Sequence, residues 1–451
     1  MSHLVPPRIK DLRKISMTLN FSKLFEKFLC GLILDDMKSS ADKSQFGCKK
    51  KISIQHLLVK LIDRILTALD KNKPNEAYAV IVNLVDWSKA FDRQCPKLAI
   101  QSFIDNGVRK GLIPVLMSYF QDRKMFVKWK GKISSERSLP GGGPQGCPLG
   151  QTSYSSQSNN NADFVPIDDR FKWVDDLTML EIINLITIGL ASYNFKQHVA
   201  SDIGVDEKFL SSDKTKSQSY TDQICTWTEG MKMKLNEEKS KIMIINFTKK
   251  YQFSTRMMMN DKLLDIVDET KVLGLIISKD LTWRKNTDSL VSRANTRLII
   301  IRSLRKFPIS NKDMVMLYCQ FVRSILEFNC CVWFSSITEE EVEDLERVQR
   351  NAIQIILQQK VEDYQESLTK LNLETLKERR TKLAIKFGKK CLKIDEMKNL
   401  FKESKRPEYN LRHCEAYDVK FASRQRLFKS TVPTLQRLMN KSASKENLQD
   451  S

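Results

Sequence analysis

Three aspartates at the ends of apolar runs constrain this chain more than any other feature of its sequence. Asp86 ends the nearly continuous apolar and β-branched run 78–85, and the pair Asp175-Asp176 interrupts the apolar segment 171–180. Carboxylates beside buried strands are costly to desolvate unless something pairs with them. The partner that several carboxylates share most readily is a divalent metal ion. The pattern therefore predicts a metal-dependent site and favours phosphoryl-transfer chemistry.

Hydrophobic periodicity predicts a mixed α+β body followed by a helical C-terminal part. The run 78–85 reads as a buried strand, and 171–180 as two short strands joined by a tight turn that carries both aspartates. The polar segment after Gly150, QTSYSSQSNNNADF, is predicted to be a loop. Helices are further predicted at 21–34, 54–69 and 97–106, in a second segment that follows and ends at 120, and at 220–232, 290–305, 311–327, 338–358 and 371–393. A hairpin is predicted at 125–133, and strands are predicted at 241–246 and 271–278.

The charge distribution indicates a polyanionic partner. The chain of 451 residues has a net charge of +21, and residues 370–445 contain 21 basic and 8 acidic side chains, a net of +13. Nucleic acid explains this excess more economically than an anionic membrane. A solvated helix face rich in lysine is the plainer alternative.

The cysteines and the hydropathy pattern predict an intracellular protein, in the nucleus or the cytoplasm. The ten cysteines include no C-x-x-C pair, and the four histidines have no metal-ligand spacing, so a zinc site is not expected. The N-terminus lacks the apolar core of a signal peptide, and no apolar run approaches the ~18 residues of a membrane span. We expect a protein that is neither secreted nor membrane-bound.

Five motifs occur in the order of the palm motifs of reverse transcriptases: VNLVDWSKAFD (82–92), GGGPQGCPLG (141–150), FKWVDDLTM (171–179), MKLNEEKSKIMI (233–244) and KVLGLIISKDLTW (271–283). Upstream, RKISMTLNFSKLFEKFL (13–29) and QFGCKKKISIQHLL (45–58) are similar to finger motifs of the same family. The chain resembles the reverse transcriptase of non-LTR retrotransposons of the jockey-like group, over about residues 10–440.

This resemblance implies a right-hand polymerase fold with an antiparallel palm sheet, helical fingers, a helical thumb and a C-terminal extension. The implied divisions are fingers at 1–75, a palm at 76–283 with a finger insertion at about 97–138, a thumb at 284–369, and a basic helical region at 370–451. The first finger segment and any endonuclease are expected to be absent from the chain.

The resemblance also implies RNA-directed DNA synthesis, with an RNA template, a DNA primer and deoxynucleoside triphosphates as partners. Asp86, Asp175 and Asp176 would hold two Mg²⁺ ions, for which Mn²⁺ could substitute, and Lys239 would protonate the departing pyrophosphate. The other implied roles are triphosphate binding by Arg13, a steric gate at Phe91, a template and nucleotide surface at Gln145 and Gly146, and a primer grip at Leu273 and Gly274.

Several plainer interpretations stay open at this point. Phe91 also fits an ordinary core position, and Lys239 a solvated lysine. A second acidic pair, Asp168-Asp169, lies in a polar stretch containing proline and is predicted to be a solvent-exposed loop. The predicted loop after Gly150 would loosen Gln145, because relatives have an apolar helix there. A degenerate copy that binds nucleic acid without catalysis is the first alternative function, and a basic helical protein-interaction module is the second.

Overall fold

A mixed, mostly antiparallel sheet forms the centre of the computed structural model, which describes residues 15–71, 76–139, 141–188, 209–211, 215–249, 251–404 and 416–449. Within these residues, five strands lie in the order β13-β9-β1-β7-β6, where β1 is Tyr78–Val85, β6 Arg170–Trp173, β7 Asp176–Asn184, β9 Lys241–Asn246 and β13 Asp265–Ile266. Strand β13 runs parallel to β9, and the other pairs are antiparallel. The predicted class of helices around an antiparallel sheet is confirmed.

The remaining strands form two-stranded ribbons: β2 Lys124–Met125, β3 Lys128–Trp129, β4 Lys132–Ile133, β5 Arg137–Ser138, β8 Phe209–Ser211, β10 Gln252–Ser254, β11 Met258–Met259, β12 Lys262–Leu263, β14 Glu269–Val272 and β15 Leu275–Ser278. The principal helices are α1 Asn20–Asp36, α2 Ile54–Asp70, α3 Pro96–Asp105, α4 Ile113–Phe120, α5 Pro148–Gln157, α6 Lys216–Gly230, α7 Arg284–Leu304, α8 Asn311–Tyr318, α9 Glu339–Leu357, α10 Tyr364–Lys370, α11 Leu376–Cys391 and α12 Thr431–Gln449. None of the helices in the described ranges has the length and apolarity needed to cross a bilayer.

Alternate residues of β1 enter different hydrophobic cores, as expected for a strand covered on both faces. Val80 and Val82 pack with α2 and with the C-terminal helices, whereas Ala79 and Ile81 pack with α6 on the opposite face. A third core joins α1, α3, α4 and α5. The central strand therefore holds its end, where Asp86 follows, between two packed layers.

The polar segment after Gly150 begins as a helix, so the predicted loop is wrong. Helix α5 packs against α1 and α3, and its small side chains allow that close approach. The buried Glu26 of α1 accepts a hydrogen bond from the Leu149 backbone N–H at 3.2 Å, which satisfies the helix start with a carboxylate. The Thr152 hydroxyl donates to the Pro148 carbonyl at 3.1 Å. Some polar groups of the segment bond locally or across helices, and its small side chains pack closely, so the segment is buried without an apolar pattern.

Two further predictions need correction in detail. The stretch 271–278 forms the hairpin β14–β15 with Leu273 and Gly274 at its turn, where the sequence indicated one strand. Both turn residues have positive φ, +46° and +92°, as a two-residue turn of this kind requires. The helix predicted at 311–327 changes to a wider π-type turn at Cys319–Arg323. The other predicted helices and strands are observed with ends that differ by up to six residues, as at α7, which begins at Arg284.

The C-terminal region packs onto the second helix of the chain. Lys420 Nζ contacts the buried Asp63 carboxylate of α2 at 2.7 Å, and Asp70 accepts hydrogen bonds from the backbone N–H groups of Ser423 and Arg424. Apolar residues of α12, such as Leu435, join the core that contains α2. Some of the basic charge of 370–445 is therefore engaged within the protein.

Candidate active site

The strand register brings the first and last of the three aspartates together. Val85, the last residue of β1, lies opposite Leu177, so Asp86 and Asp176 occupy neighbouring positions at the same edge of the sheet. Asp176 begins β7 and pairs with Trp173, and Asp175 lies in the turn before it. Val174 adopts φ +58°, which makes this turn tight. The predicted arrangement of two strands joined by a carboxylate-bearing turn is confirmed.

The buried hydroxyl of Tyr154 lies within electrostatic range of the three carboxylates. This side chain of α5 is buried, and its hydroxyl has no hydrogen-bond partner among the described residues. Burial raises the pKa of Tyr154 well above its usual value, and the charges of Asp175, Asp176 and Asp86 raise it further. All three aspartates therefore act electrostatically on one buried atom of α5.

The donor set is suited to a hard divalent cation, although the carboxylates do not form a closed cluster. Asp86 and Asp176 offer oxygen ligands, the type that Mg²⁺ prefers. Asn236 Nδ2 donates to Asp86 Oδ2 at 2.9 Å and so orients one of these ligands. In the part of the chain that the structure describes, no three His, Cys, Asp or Glu side chains lie close enough together to hold a metal ion. Two of the three predicted ligands thus share a site, and the third lies in the adjoining turn.

A cleft of about 360 Å³ joins the two strand-end carboxylates to residues from the last two sequence motifs. Asp86, Asp176 and Lys239 line it together with Lys271 and Leu273. Gly274, in the same hairpin turn as Leu273, approaches the Phe328 ring so closely that a Cβ atom would lie 2.9 Å from it. The cleft therefore contains two of the three predicted carboxylates, the predicted lysine and one residue of the predicted primer grip.

Phe91 and the glycine-rich loop form a second cluster held by α5. The Phe91 and Tyr154 rings stack at 4.9 Å between centroids. The Gly143 N–H donates to the Phe91 carbonyl at 2.7 Å, and the buried Gln94 amide donates to Ser153 at 2.7 Å. Phe91 is half-buried, so it is packed on one side and accessible on the other. This placement is compatible with a gate beside the carboxylates as well as with a core role.

The N-terminal finger motif lies against the loop that carries Gln145 and Gly146. The Ser16 N–H donates to the Gln145 carbonyl at 2.7 Å, and Gly146 has φ +98° with Ile15 in contact. A side chain at Gly146 would be strained and would press on Ser16. The structure thus brings these two motifs together, whereas Arg13 lies outside the described residues.

Residues 42–47 support the carboxylate turn, a role that the sequence analysis missed. Gln45 Oε1 accepts from the Val174 N–H at 3.0 Å, and a Cβ on Gly47 would lie only 2.6 Å from that nitrogen. The buried Asp42 carboxylate contacts Lys172 Nζ at 2.6 Å, in the strand that leads into the turn. Lys172 also donates to the carbonyls that follow α5. One buried ion pair thereby ties residues 42–47, β6 and the end of α5 together.

The signals for the missed residues are weak in one sequence. Tyr154 stands among serines in a segment without apolar periodicity, and Asp42 lies in a short polar stretch. Asn236 lies inside a recognised motif, where a polar residue beside Glu237 gives no hint of a contact to Asp86. The second acidic pair is only partly as predicted, since Asp168 is exposed while Asp169 contacts Arg64 at 2.7 Å.

Replacing Tyr154 by phenylalanine is expected to leave the free energy of unfolding unchanged or to raise it by up to about 1 kcal/mol, because its buried hydroxyl has no described partner. Tyr318 provides the matched control, since its buried hydroxyl donates to Gln349 at 2.7 Å. Tyr318→Phe should cost about 1–3 kcal/mol. Urea unfolding of both variants measures this difference, and an equal loss in the two would contradict it.

Comparison with curated proteins finds similar sequences among the polymerases of mobile elements. The chain is 22% identical over 355 residues to a probable RNA-directed DNA polymerase from transposon X-element of Drosophila melanogaster, covering 76% of this chain and 35% of that protein. It is 26% identical over 320 residues to the RNA-directed DNA polymerase from mobile element jockey of Drosophila funebris, covering 68% and 31%. The chain is thus similar to RNA-directed DNA polymerases of mobile elements.

The resemblance to jockey-like reverse transcriptases that the five motifs predicted is thereby confirmed. The polymerase from transposon BS of Drosophila melanogaster adds a match of 24% identity over 332 residues. The chain spans about a third of the length of these reverse transcriptase relatives. No protein-family model matches it.

Solved structures of telomerase are also similar to this chain, at a low level. Apo telomerase from Candida tropicalis is 17% identical with a TM-score of 0.37, covering 83% of this chain and 54% of that one. Telomerase from Candida albicans in complex with a fragment of telomeric RNA is 10% identical with a TM-score of 0.34, covering 84% and 58%. These scores are too low to define the fold of the present chain.

Proposed function

We propose that this chain is the RNA-directed DNA polymerase of a non-LTR retrotransposon and that it extends a primer 3′-hydroxyl with deoxynucleotides inside the cell. The observation that carries the proposal is the cleft at the end of β1, where Asp86, Asp176, Lys239 and Leu273 meet. Four separate sequence motifs contribute these residues. A buried structural ion pair or a surface turn would not require all four motifs in one cleft.

The proposed site uses carboxylates as ligands for two Mg²⁺ ions, with Mn²⁺ as a substitute. Asp86, Asp175 and Asp176 would hold these ions, which supply activation of the 3′-hydroxyl and neutralisation of the triphosphate. Asn236 keeps the Asp86 carboxylate oriented through its 2.9 Å hydrogen bond. Asp175 lies in the tight turn at Val174, directly before Asp176, and residues 42–47 hold that turn in place.

The remaining residues of the site bind substrates and move one proton. Lys239 is exposed in the cleft and carries ammonium protons, so it can donate one to the departing pyrophosphate. Phe91, stacked on Tyr154, would exclude a ribose 2′-hydroxyl and so select deoxynucleotides. Gln145 and Gly146 would contact template and nucleotide, Arg13 the triphosphate, and the Leu273-Gly274 turn the primer end.

A right-hand architecture is part of the same proposal. The palm would comprise 76–283 with a finger insertion at about 97–138, preceded by fingers at 1–75 and followed by a thumb at 284–369 and the basic region 370–451. The RNA template and DNA primer would lie between fingers and thumb. Lysine and arginine would hold their backbones with little reading of base sequence.

A primer-extension assay tests the proposal directly. With an RNA template, an annealed DNA primer, Mg²⁺ and four deoxynucleotides, the wild-type chain should extend the primer, and Asp175→Asn should reduce the rate by at least about 100-fold. Asp168→Asn is the matched control, because Asp168 belongs to the other acidic pair and is exposed. The proposal fails if the wild type does not extend, or if both variants extend equally.

A degenerate copy that binds nucleic acid without catalysis is the second candidate. The observation that favours it is that no closed three-carboxylate set exists among the described residues. The presence of helix α5 removes one of its motivations, because the segment behind Gln145 is folded. This candidate predicts salt-sensitive binding of the template-primer without extension, since neutralised phosphates release counterions.

A further inference from the structure

The ribbon formed by residues 123–138 projects from the protein with little packing of its own. Strands β2 and β5 pair with each other, and β3 pairs with β4 around a turn at Lys130-Gly131. Among the described residues, neither pair joins a larger sheet. An isolated two-stranded ribbon is only marginally stable in water. A surface of this kind is typical of a segment that binds a partner.

The ribbon exposes apolar and aromatic side chains to a degree that is unusual for a solvated hairpin. Trp129 is 72% exposed and Phe126 is 56% exposed, with Val127 and Ile133 similarly accessible. Phe126 lies in the two-residue link between β2 and β3, and Trp129 ends β3 beside the turn. Both aromatic rings of the ribbon are therefore accessible to solvent.

Positive charge surrounds these rings. Residues 123–138 contain six basic side chains and one acidic side chain, Glu136, which contacts Lys124 at 3.3 Å. In the described structure, Lys128, Lys132 and Arg137 form no ion pair, and Lys130 lies 6.0 Å from the Trp129 ring centroid. Aromatic rings interleaved with lysines are the combination that binds single-stranded nucleic acid, by stacking on bases and by neutralising phosphates.

The base of the ribbon adjoins the candidate active site. The Leu139 N–H donates to the Arg123 carbonyl at 2.7 Å, which closes the ribbon there. Ser138 lies three residues before Gly141, a span of at most about 11 Å. Gly142 and Gly143 bond to the turn that carries Phe91. A nucleic-acid strand that leaves the loop 141–146, the proposed template and nucleotide surface, on this side would reach the ribbon within a few nucleotides.

We propose that residues 123–138 bind the single-stranded part of the template, with bases stacked on Trp129 and Phe126 and phosphates held by the lysines. The choice of the template strand rests on the proposed polymerase function. Charge complementarity selects nucleic acid as the occupant, because the ribbon has one acidic side chain and that carboxylate is already paired. The surface thus extends the active site outward along the strand that has not yet been copied.

Binding measured without nucleotides tests this inference independently of catalysis. Fluorescence anisotropy would compare an RNA-DNA template-primer carrying a single-stranded 5′ RNA extension of about 15 nucleotides with a blunt duplex of the same sequence. Trp129→Ala should weaken binding of the extended substrate by at least about 5-fold, the lower end of the loss expected for one stacked base. Binding of the blunt duplex should change by less than about twofold.

The charge component has its own expected result and matched controls. The double variant Lys128→Gln and Lys132→Gln should reduce the slope of log affinity against log salt by about 0.7 per lysine for the extended substrate. Ile167→Ala, at an apolar side chain that is 46% exposed before β6, and the pair Lys216→Gln and Lys232→Gln, at exposed lysines at the start of α6 and just past its end, should change neither affinity nor slope.

The outcomes separate this inference from the polymerase proposal. An enzyme that fails to extend a primer while Trp129→Ala selectively weakens binding of the extended RNA overturns the polymerase function and keeps the ribbon site. An equal loss for extended and blunt substrates, or no loss, overturns the ribbon site. If the Trp129→Ala variant keeps its RNA affinity but no longer sediments with anionic vesicles, the ribbon binds a membrane surface instead.

Discussion

Replacement of Asp42 by asparagine is expected to lower the free energy of unfolding by about 3–5 kcal/mol, the cost of leaving a buried cation without its partner. Lys172 and Asp42 are each only 2% exposed at the side chain, and Arg170 also contacts the carboxylate, at 3.2 Å. An asparagine amide cannot neutralise either cation. A fall in the urea midpoint with an unchanged slope would measure the loss.

A surface ion pair provides the control for this substitution. Asp395 contacts Lys398 at 2.8 Å, but its side chain is 90% exposed. Asp395→Asn should leave the urea midpoint unchanged, because exposed pairs contribute little. If Asp42→Asn has an equally small effect, the buried pair does not hold the turn as the structure indicates.

The same carboxylate predicts how stability depends on pH. Burial raises the pKa of Asp42, but the charge and hydrogen bond of Lys172 outweigh burial and lower the pKa from 3.8 to about 2. Because the pKa is lower in the folded state than in the unfolded chain, ionised Asp42 stabilises the fold above pH 4. This contribution, about 2.5 kcal/mol, is lost as the pH falls from about 4 to 2. Asp42→Asn should show a flatter stability profile across that window.

The second large effect is expected from Gly150→Ala, which places a methyl group inside a backbone contact. A Cβ at Gly150 would lie 2.2 Å from the Pro144 carbonyl oxygen. Since this neighbour is backbone, the loop 141–146 must move. We expect a loss of about 1–3 kcal/mol in unfolding free energy. Under the proposed function, the displaced Gln145 also raises the KM for deoxynucleotides.

Gly31 is a matched control within another helix. No atom lies within 4 Å of a Cβ built at Gly31, so Gly31→Ala should stabilise the protein by about 0.5–1 kcal/mol through helix propensity alone. Unfolding curves for both variants and a nucleotide titration in the extension assay give the comparison. Two variants of equal stability and equal KM would show that the loop does not depend on close approach at Gly150.

The sequence predicted those parts of the fold where local patterns and long-range packing agree. Strand β1 is apolar except for the buried Asn83 and is followed by a charge, so its C-terminal boundary follows from desolvation cost. The carboxylate turn was predictable for the same reason, because two apolar strands must pass an acidic step. The grouping of Asp86, Asp176, Lys239 and Leu273 followed only from the family motif order, since chain spacing does not determine which strands lie side by side.

The sequence failed where stability comes from contacts between distant polar residues. Helix α5 has little apolar periodicity, and its start is satisfied by Glu26, more than a hundred residues earlier in the chain. The support of the turn by Gln45 and Asp42 is likewise a tertiary contact between a finger segment and a strand. Helix and strand propensities depend on neighbouring residues only, so they cannot predict such distant partners. The hairpin at Leu273-Gly274 was predicted as one strand because a non-glycine residue at positive φ is uncommon.

The packing of the last helix against α2 has a consequence for how the chain is made. Lys420, Ser423 and Arg424 contact residues of α2 more than 350 positions earlier. Those contacts form only after residues 420–424 have left the ribosome, so the part of α2 that they cover stays exposed while the intervening residues are synthesised. Late contacts of this kind slow folding and expose the nascent chain to aggregation. A chain truncated before Lys420 should therefore be insoluble or degraded, even though it contains every proposed catalytic residue.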